Sequence, residues 1–563
     1  VSAANSMAAF AEASEQAGAT SKRLAKGAIL GDYLAALDDE SLPIACRFLS
    51  GNPFPTADQR VLQVGGSAIS GLIATVSGLS LDEVNNTLVR LGDYGEVAEQ
   101  AFTAAKHQPE GAPLSLTETM AAYAEIAATS GKGGPGRKAA ILEGLLRRAD
   151  PLVAKYLLKI VTNELRTGLR ESMVEDALAR VSGLKVAELQ RVNMLLGDIG
   201  AVALRARHGT LGEAQMVLFQ PLKSMLASPV EKPGDVLKEA EPTVIVEDKY
   251  DGVRAQAHKV GGRVELYSRT LDLVTHRFPE VVAALAALPG DFILDGEVVA
   301  YEGGVFLPFS LLQQRLGRKQ VTDEMLASIP VIFVAFDLLY NDGAVLLDQP
   351  LRERWAGLVR LFSGAAAGLR LAEHDEPTRA QLGPQAEELD RYFVAARARG
   401  NEGLMIKLPS SLYAPGKRGK TWLKVKKALA TLDVVVTAVE WGYGRRHTVL
   451  SDYTFAVQGA DGALLNVGKA YSGLTDAEIA ELTEWFKAHT LQEFAHGKVR
   501  LVEPKIVIEI AFDRVQRSPR HKSGFALRFP RIIRLREDKP VSEINTLEDV
   551  RKLADDEQEN GAS

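Results

Sequence analysis

The spacing of apolar residues changes once along this chain of 563 residues, near residue 222. Before that point hydrophobic residues recur three and four apart. After it they alternate or run in short blocks. A helix buries a stripe of side chains and a strand buries every second one, so no single packed layer serves both patterns. Nor do 563 residues suit one ordinary core. The chain is therefore expected to be multidomain.

Residues 7–221 read as an all-helical domain. In SLDEVNNTLVRLG, Ser80 stands three before Glu83, the spacing of a capping box. SMVEDALARVSGL repeats the device with Ser172 and Glu175. GKGGPGRK, from Gly131 to Lys138, reads as a flexible loop without the spacing of a P-loop. Residues 222–428 read as an α+β domain, with strands in TVIVEDKY, FILDGEVVAY, PVIFVAFDLLY, EGLMIKL and TWLKVKK. Residues 429–550 hold the strand-like runs LDVVVTAVEWG, DYTFAVQG, ALLNVGKAY and KIVIEIAFDRV. One capped helix, TDAEIAELTEWFKAH, lies between the third and fourth, which fits a small β-barrel of the OB type. Residues 551–563 are expected to be a disordered tail. The first helical pattern begins at Met7, and Val1–Ser6 read as an addition before it.

Composition excludes several classes. Hydrophobic residues make up 46% and charged residues 25%, as in a soluble globular protein. No apolar run approaches a membrane span, and no secretory signal is visible, so a cytoplasmic or nucleoid-associated protein is expected, with no membrane partner. Cys46 is the only cysteine, which removes an intramolecular disulfide and any multi-cysteine zinc site. Net charge is −6, yet nine Lys/Arg against three Asp/Glu lie between Asp513 and Lys539, and six basic residues without an acid between Lys417 and Lys427. Such clusters suit phosphate contact.

The stretch EDKYDGVR carries the chemistry. Strand alternation puts Glu247, Lys249 and Asp251 on one face. It pairs Asp295 with Glu297 in LDGEVV, and Trp422 with Lys424 and Lys426 in WLKVK. If these faces converge, one lysine stands among acids suited to a hard cation such as Mg²⁺ and near lysines suited to phosphates. Those lysines would favour the free amine of Lys249, a nucleophile able to attack the α-phosphorus of a triphosphate.

KYDGVR resembles the K-x-D-G-x-R signature of the covalent nucleotidyltransferases. SRT (268–270), LDGEVV (294–299), FVAFDLLY (333–340), EGLMIK (402–407) and WLKVKK (422–427) resemble the remaining motifs of that superfamily, in order. RSPRHKSGFALRFPRIIRLREDKP resembles the C-terminal motif of DNA ligases. NELRTGLRESMVEDALA and PLKSMLASP resemble the helical DNA-binding domain and the segment that follows it in multidomain ATP-dependent DNA ligases. The match runs from about residue 7 to 550.

The resemblance implies a helical DNA-binding domain, an adenylation domain and an OB-fold domain. The implied reaction seals 5′-phosphate/3′-hydroxyl nicks in duplex DNA with ATP and Mg²⁺. Lys249 would carry AMP. Glu247 would lie at the adenine and Phe336 stack on it. Arg254 and Arg269 would hold ribose and phosphate, Glu297 and Glu402 nucleotide and metal, and Arg418, Lys424 and Lys426 the phosphates. Arg528 and Arg531 would orient the pyrophosphate, presented by a hinge near Lys427–Asp433. Thr270 departs from the amide or basic residue common at its place. A monomer is expected.

Three rivals are open to discrimination. NAD-dependent ligases carry a four-cysteine zinc module that one cysteine cannot supply. An mRNA-capping or RNA-ligase enzyme shares the core but gives the helical region no task. A non-catalytic DNA clamp would not need Lys249, Glu297, Glu402 and Lys424 together.

Overall fold

The computed structural model describes residues 3–559 except 56–57, 166–170, 231–232, 240, 317, 319–320, 366, 427–429, 444–445 and 495–496. From Met7–Gly18 to Ile199–His208 the regular structure is helical, and one apolar core runs from Met7 to Ala206. The helix Leu81–Leu91 shows why. Ser80 and Glu83 cap each other reciprocally, and Gly92 closes the far end at φ +66°, a left-handed turn that glycine takes without strain.

Three local expectations are corrected. The second capping box does not form: the helix begins at Glu171, placing Ser172 inside it, and the buried Glu175 accepts from Gln190 and Asn193 instead. The glycine-rich loop is shorter than predicted, because the helix Gly134–Arg147 starts inside it with proline in its first turn. Proline suits that place, where its missing N–H has no helical partner to lose. Residues 3–6 are integrated rather than appended. Asn5 is buried and donates to Asp38, and Ser6 caps the first helix through its hydroxyl.

Beyond residue 225 the described strands are, in chain order, β1 (Leu226–Val230), β2 (Ile245–Lys249), β3 (Val253–Val260), β4 (Arg263–Ser268), β5 (Phe292–Glu302), β6 (Val305–Phe306), β7 (Val331–Asn341), β8 (Ala344–Val345), β9 (Leu369–Leu371), β10 (His374–Asp375), β11 (Gly403–Lys407) and β12 (Arg418–Lys426). They form two sheets. One has the order β1-β12-β11-β2-β10. The other runs β4-β3-β5-β7-β8, with β6 and β9 beside it. The chain crosses between the sheets at Tyr250–Gly252, directly after Lys249. A Cβ at Gly252 would stand 2.4 Å from the carbonyl oxygen of Val298, so only glycine allows this close crossing.

The C-terminal region is β-rich: β13 (Ala430–Trp441), β14 (Leu450–Gln458), β15 (Leu464–Ala470), β16 (Thr490–Phe494), β17 (Val499–Val502), β18 (Val507–Phe512), β19 (Arg514–Arg517), β20 (Phe525–Arg528) and β21 (Arg531–Leu535). The helix Asp476–Ala488 has its capping box, Thr475 with Glu478. Strands β16 and β17 were not foreseen. The tail departs most from expectation: Leu547–Glu559 is a helix, and Val550 is buried in the C-terminal core. Leu547, Leu553 and Ala554 pack there beside Val550 and dock the helix. Residues 560–563 lie outside the described residues. Among the described residues no helix is long and apolar enough to cross a membrane.

Candidate active site

The two sheets enclose a cavity of about 520 Å³. Its walls hold Lys249, Glu247, Arg254, Arg269, Glu297, Phe336, Glu402, Arg418 and Lys424, and thus nine of the predicted residues. Six basic and five acidic residues line it, Asp248 among the acids although its carboxylate turns away to Arg399. A pocket so balanced can take a polyphosphate on one side and a cation on another.

Strand pairing explains the convergence. Strands β2, β11 and β12 are antiparallel neighbours, with Lys249 opposite Gly403 and Gly403 opposite Lys426. Lys249 ends β2 and Glu402 immediately precedes β11, so their side chains meet: Nζ lies 2.5 Å from Glu402 Oε2. The nearest charged neighbour of the lysine is therefore a carboxylate, not the lysines expected to activate it. Asp248 points the other way, as alternation requires, and is held by Arg399 at 2.7 Å.

The carboxyls around Lys249 are crowded and desolvated. Burial pushes Glu297 up to about 8, against the opposing pull of Lys249 and Arg254. Burial, with Glu402 beside it, pushes Asp251 up to about 6. In both, the cost of burying a charge outweighs the pull of the neighbouring basic groups. Among the described residues no group of three His, Cys, Asp or Glu side chains forms a ready metal cage.

Glu247 is buried and clamped. Lys407 Nζ lies 2.5 Å from one of its oxygens, and His374 lies 3.6 Å from the other. The Lys407 ammonium also sits 4.7 Å from the Phe336 ring centre and 4.4 Å from that of Trp422. Lys407 was not singled out from the sequence. Its place two residues after Met405 on β11 puts both on the cavity face, so alternation carried the signal.

Arg254 lines the cavity but is committed elsewhere. It grips Asp295 with two nitrogens, at 3.0 and 2.7 Å. It is a brace as much as a ligand. Arg269 and Arg418 are exposed at the rim. The backbone of Lys426 ends β12, while its side chain lies outside the described residues, as do 427–429 of the expected hinge.

Arg528 and Arg531 are not among the residues lining the cavity. They lie at the end of β20 and the start of β21. The C-terminal residue that approaches the site is Arg514, register partner of Arg528, whose Nη1 stands 3.8 Å from Asp251. Arg514 lay within the basic cluster, but charge alone did not distinguish it from its neighbours.

Three family models match the chain. Residues 6–179 match "DNA ligase N terminus", 224–426 "ATP dependent DNA ligase domain" and 446–539 "ATP dependent DNA ligase C terminal region". The chain is 49% identical to a "Probable DNA ligase" of Koribacter versatilis, over 96% of its own length and 95% of the relative's. It is 37% identical to a "DNA ligase" of Archaeoglobus fulgidus, over 97% of each. The solved structure named "Pmar-Lig_PreS3" matches 94% of this chain and 99% of its own with a TM-score of 0.60 at 18% identity, a likeness of fold.

Proposed function

Since the chain belongs to the ATP-dependent DNA ligases, enzymes that use ATP to form phosphodiester bonds in DNA, we propose that Lys249 is its AMP carrier and that nicked duplex DNA is its substrate. The observation that carries this reading is Lys249 at the junction of two sheets, inside a cavity walled by paired acids and bases.

In the first step Nζ attacks the α-phosphorus of ATP. A nitrogen–phosphorus bond forms and the bond to pyrophosphate breaks. The lysine must first lose a proton, and Glu402 is the acceptor 2.5 Å away. AMP then passes to a 5′-phosphate, and a 3′-hydroxyl displaces it. Each step is an in-line displacement at phosphorus, so positioning and charge neutralisation do most of the catalysis. Glu247, fixed by Lys407, faces the base beside Phe336. Arg269, Arg418, Lys424 and Lys426 are assigned to ribose and phosphates.

The donor set fits Mg²⁺. Glu402 and Glu297 would supply hard oxygen ligands, and burial keeps the Glu297 and Asp251 carboxyls raised despite the basic side chains near them, a state that a further cation would relieve. Mg²⁺ is commonly held by one or two carboxylates with phosphate oxygens completing its shell, so the lack of a three-ligand protein cage is no obstacle. When bound, the ion would neutralise charge developing on the phosphates.

We assign 7–221 to DNA binding, 222–428 to adenylation and 429–550 to an OB fold. The antiparallel sheet of β13–β18 and β21 with one inserted helix supports the last. Arg528 and Arg531 would reach pyrophosphate after movement of that domain. A cytoplasmic monomer goes with this reading. The deciding test is intact mass after incubation with ATP and Mg²⁺. Wild type gains an AMP adduct, and Lys249→Ala and Lys249→Arg do not, because neither offers a free amine. An adduct on Lys249→Ala would refute the assignment.

A further inference from the structure

Tyr413 lies in the loop between β11 and β12 and is 4% exposed. Its hydroxyl is used twice: it donates to Asp295 Oδ2 at 2.6 Å and accepts from the backbone N–H of Met225 at 3.2 Å. Arg254 closes the circuit. It grips the same Asp295 carboxylate and donates through Nη1 to the Met225 carbonyl at 2.7 Å. Both backbone groups of Met225 are thus held by side chains from two distant parts of the chain.

Met225 directly precedes Leu226 and Ala227, which line the cavity. Sheet pairing fixes this stretch only in part, because the register breaks at Ala227. Leu226 is opposite Arg418 but Ser228 is opposite Leu423, so two steps along β1 span five along β12. Such a break leaves the strand without a regular ladder at that point. The brace at Met225 fixes the N-terminal end of this wall, beside the bond from the Leu226 N–H to the Lys417 carbonyl at 3.0 Å, while the Ser228 hydroxyl, bonded to the Gly419 carbonyl at 2.7 Å, holds the other end. The wall lies beside Phe336 and Met405, the apolar side of the cavity suited to a base rather than to phosphates.

We propose that Tyr413 is a positioning residue for the nucleotide. Through Met225 it holds the Leu226–Ala227 wall against the base of ATP, so that the base is bound snugly while the phosphates are held elsewhere. The inference rests on the adenylation reading above.

Tyr413→Phe tests it, because the ring keeps its packing on Trp422 and only the hydroxyl is lost. The KM for ATP in self-adenylation is expected to rise about tenfold, the size of a buried hydrogen bond, with kcat within about threefold. In the reverse reaction of the AMP-bound enzyme with pyrophosphate, the KM for pyrophosphate should not move, since that ligand has no base. A lower Tm with an unchanged KM for ATP would make Tyr413 merely structural and overturn the proposal, and so would an equal rise in both KM values. If Tyr413→Phe does not fold, Ala227→Leu alters the wall without touching the brace. It should raise the same KM and spare pyrophosphate, and no change in either would overturn the proposal. An AMP adduct surviving in Lys249→Ala, by contrast, would condemn the adenylation reading itself.

Discussion

Lys249 holds Glu402 twice: its carbonyl accepts from the Glu402 N–H at 2.8 Å, and its ammonium meets the Glu402 carboxylate at 2.5 Å. Backbone and side chain act together because the two residues stand at adjacent ends of antiparallel strands. The carboxylate is therefore held beside the lysine, where another cation would compete for it. That makes Glu402 the point where lysine and metal compete.

Glu402→Gln should expose this competition. The amide keeps the shape but loses the charge that pairs with Lys249 and would bind a hard cation. The Mg²⁺ concentration for half-maximal adenylation is expected to rise, and the rate at saturating Mg²⁺ to fall by at least about tenfold. Rates measured across a Mg²⁺ series decide the matter. A curve superimposed on wild type would reduce Glu402 to a strand-end acid.

A pH dependence of stability follows from His258. It is fully buried, accepts from the Phe219 N–H at 3.0 Å through Nδ1, and places Nε2 2.8 Å from Gln256 Oε1. Both contacts require the neutral ring with its proton on Nε2, and burial pushes the ring down to about 3. The unfolded chain takes up this proton near the ordinary histidine value of about 6.5 and the folded one does not. The stabilisation is thus complete above that value and lost as pH falls towards 3, by about 1.4 kcal/mol per pH unit. His258→Asn should be less stable at pH 7.5 but show a shallower fall in Tm between pH 6.5 and 4.5. Parallel Tm curves would show that His258 is not responsible.

The sites that were readable from sequence, and those that were not, differ in physical kind. Lys249, Glu297 and Trp422 sit within strands whose two-residue alternation fixes a face before any partner is known. Ser172 misled because Glu175 found better partners in Gln190 and Asn193, a tertiary preference no local spacing encodes. Arg514 reaches Asp251 only through packing between domains. The tail misled for a compositional reason: four of the seven residues in ADDEQEN are acidic, and the apolar stripe that docks the helix lies earlier, at Leu547, Val550 and Leu553.

That docked helix yields a stability prediction. Val550 is wholly buried, and Asn545, just before the helix, accepts from the Asp433 N–H and offers its carbonyl to the Gln458 N–H. Val550→Ala should cost about 1–2.5 kcal/mol. Ending the chain after Thr546 should cost more, lowering the Tm of the C-terminal region while leaving AMP loading on Lys249 measurable. Calorimetry of the three proteins checks this. An unchanged Tm after truncation would mean the helix does not hold the fold together.

Removing the helical region should separate two activities that the intact chain combines. The cut belongs before residue 215, because Phe219 and Leu222 donate to His258 and Gln256 and so are part of the catalytic fold. The helical region meets that fold mainly through polar contacts (Gln59 with the backbone of Leu271 and Leu273, Arg191 with Asp348, Glu171 with Lys223, and Lys417 with Gln190), with Met194 packed on the cluster around Leu222 and Met225. Contacts of this kind contribute little to stability each, so residues 215–563 should fold and still load AMP on Lys249. Sealing is another matter. If the helices grip the duplex by its phosphates, their loss removes contacts that the remaining basic clusters cannot replace. Sealing should fall by at least about a hundredfold at moderate salt, and more steeply as salt rises, since fewer phosphate contacts remain to resist competition by counterions. AMP-adduct yield and nick-sealing rate, measured side by side for both proteins across a salt series, decide it. Equal sealing at every salt concentration would show that the N-terminal helices do not bind DNA, and would leave the cavity around Lys249 to serve a substrate that needs no such grip.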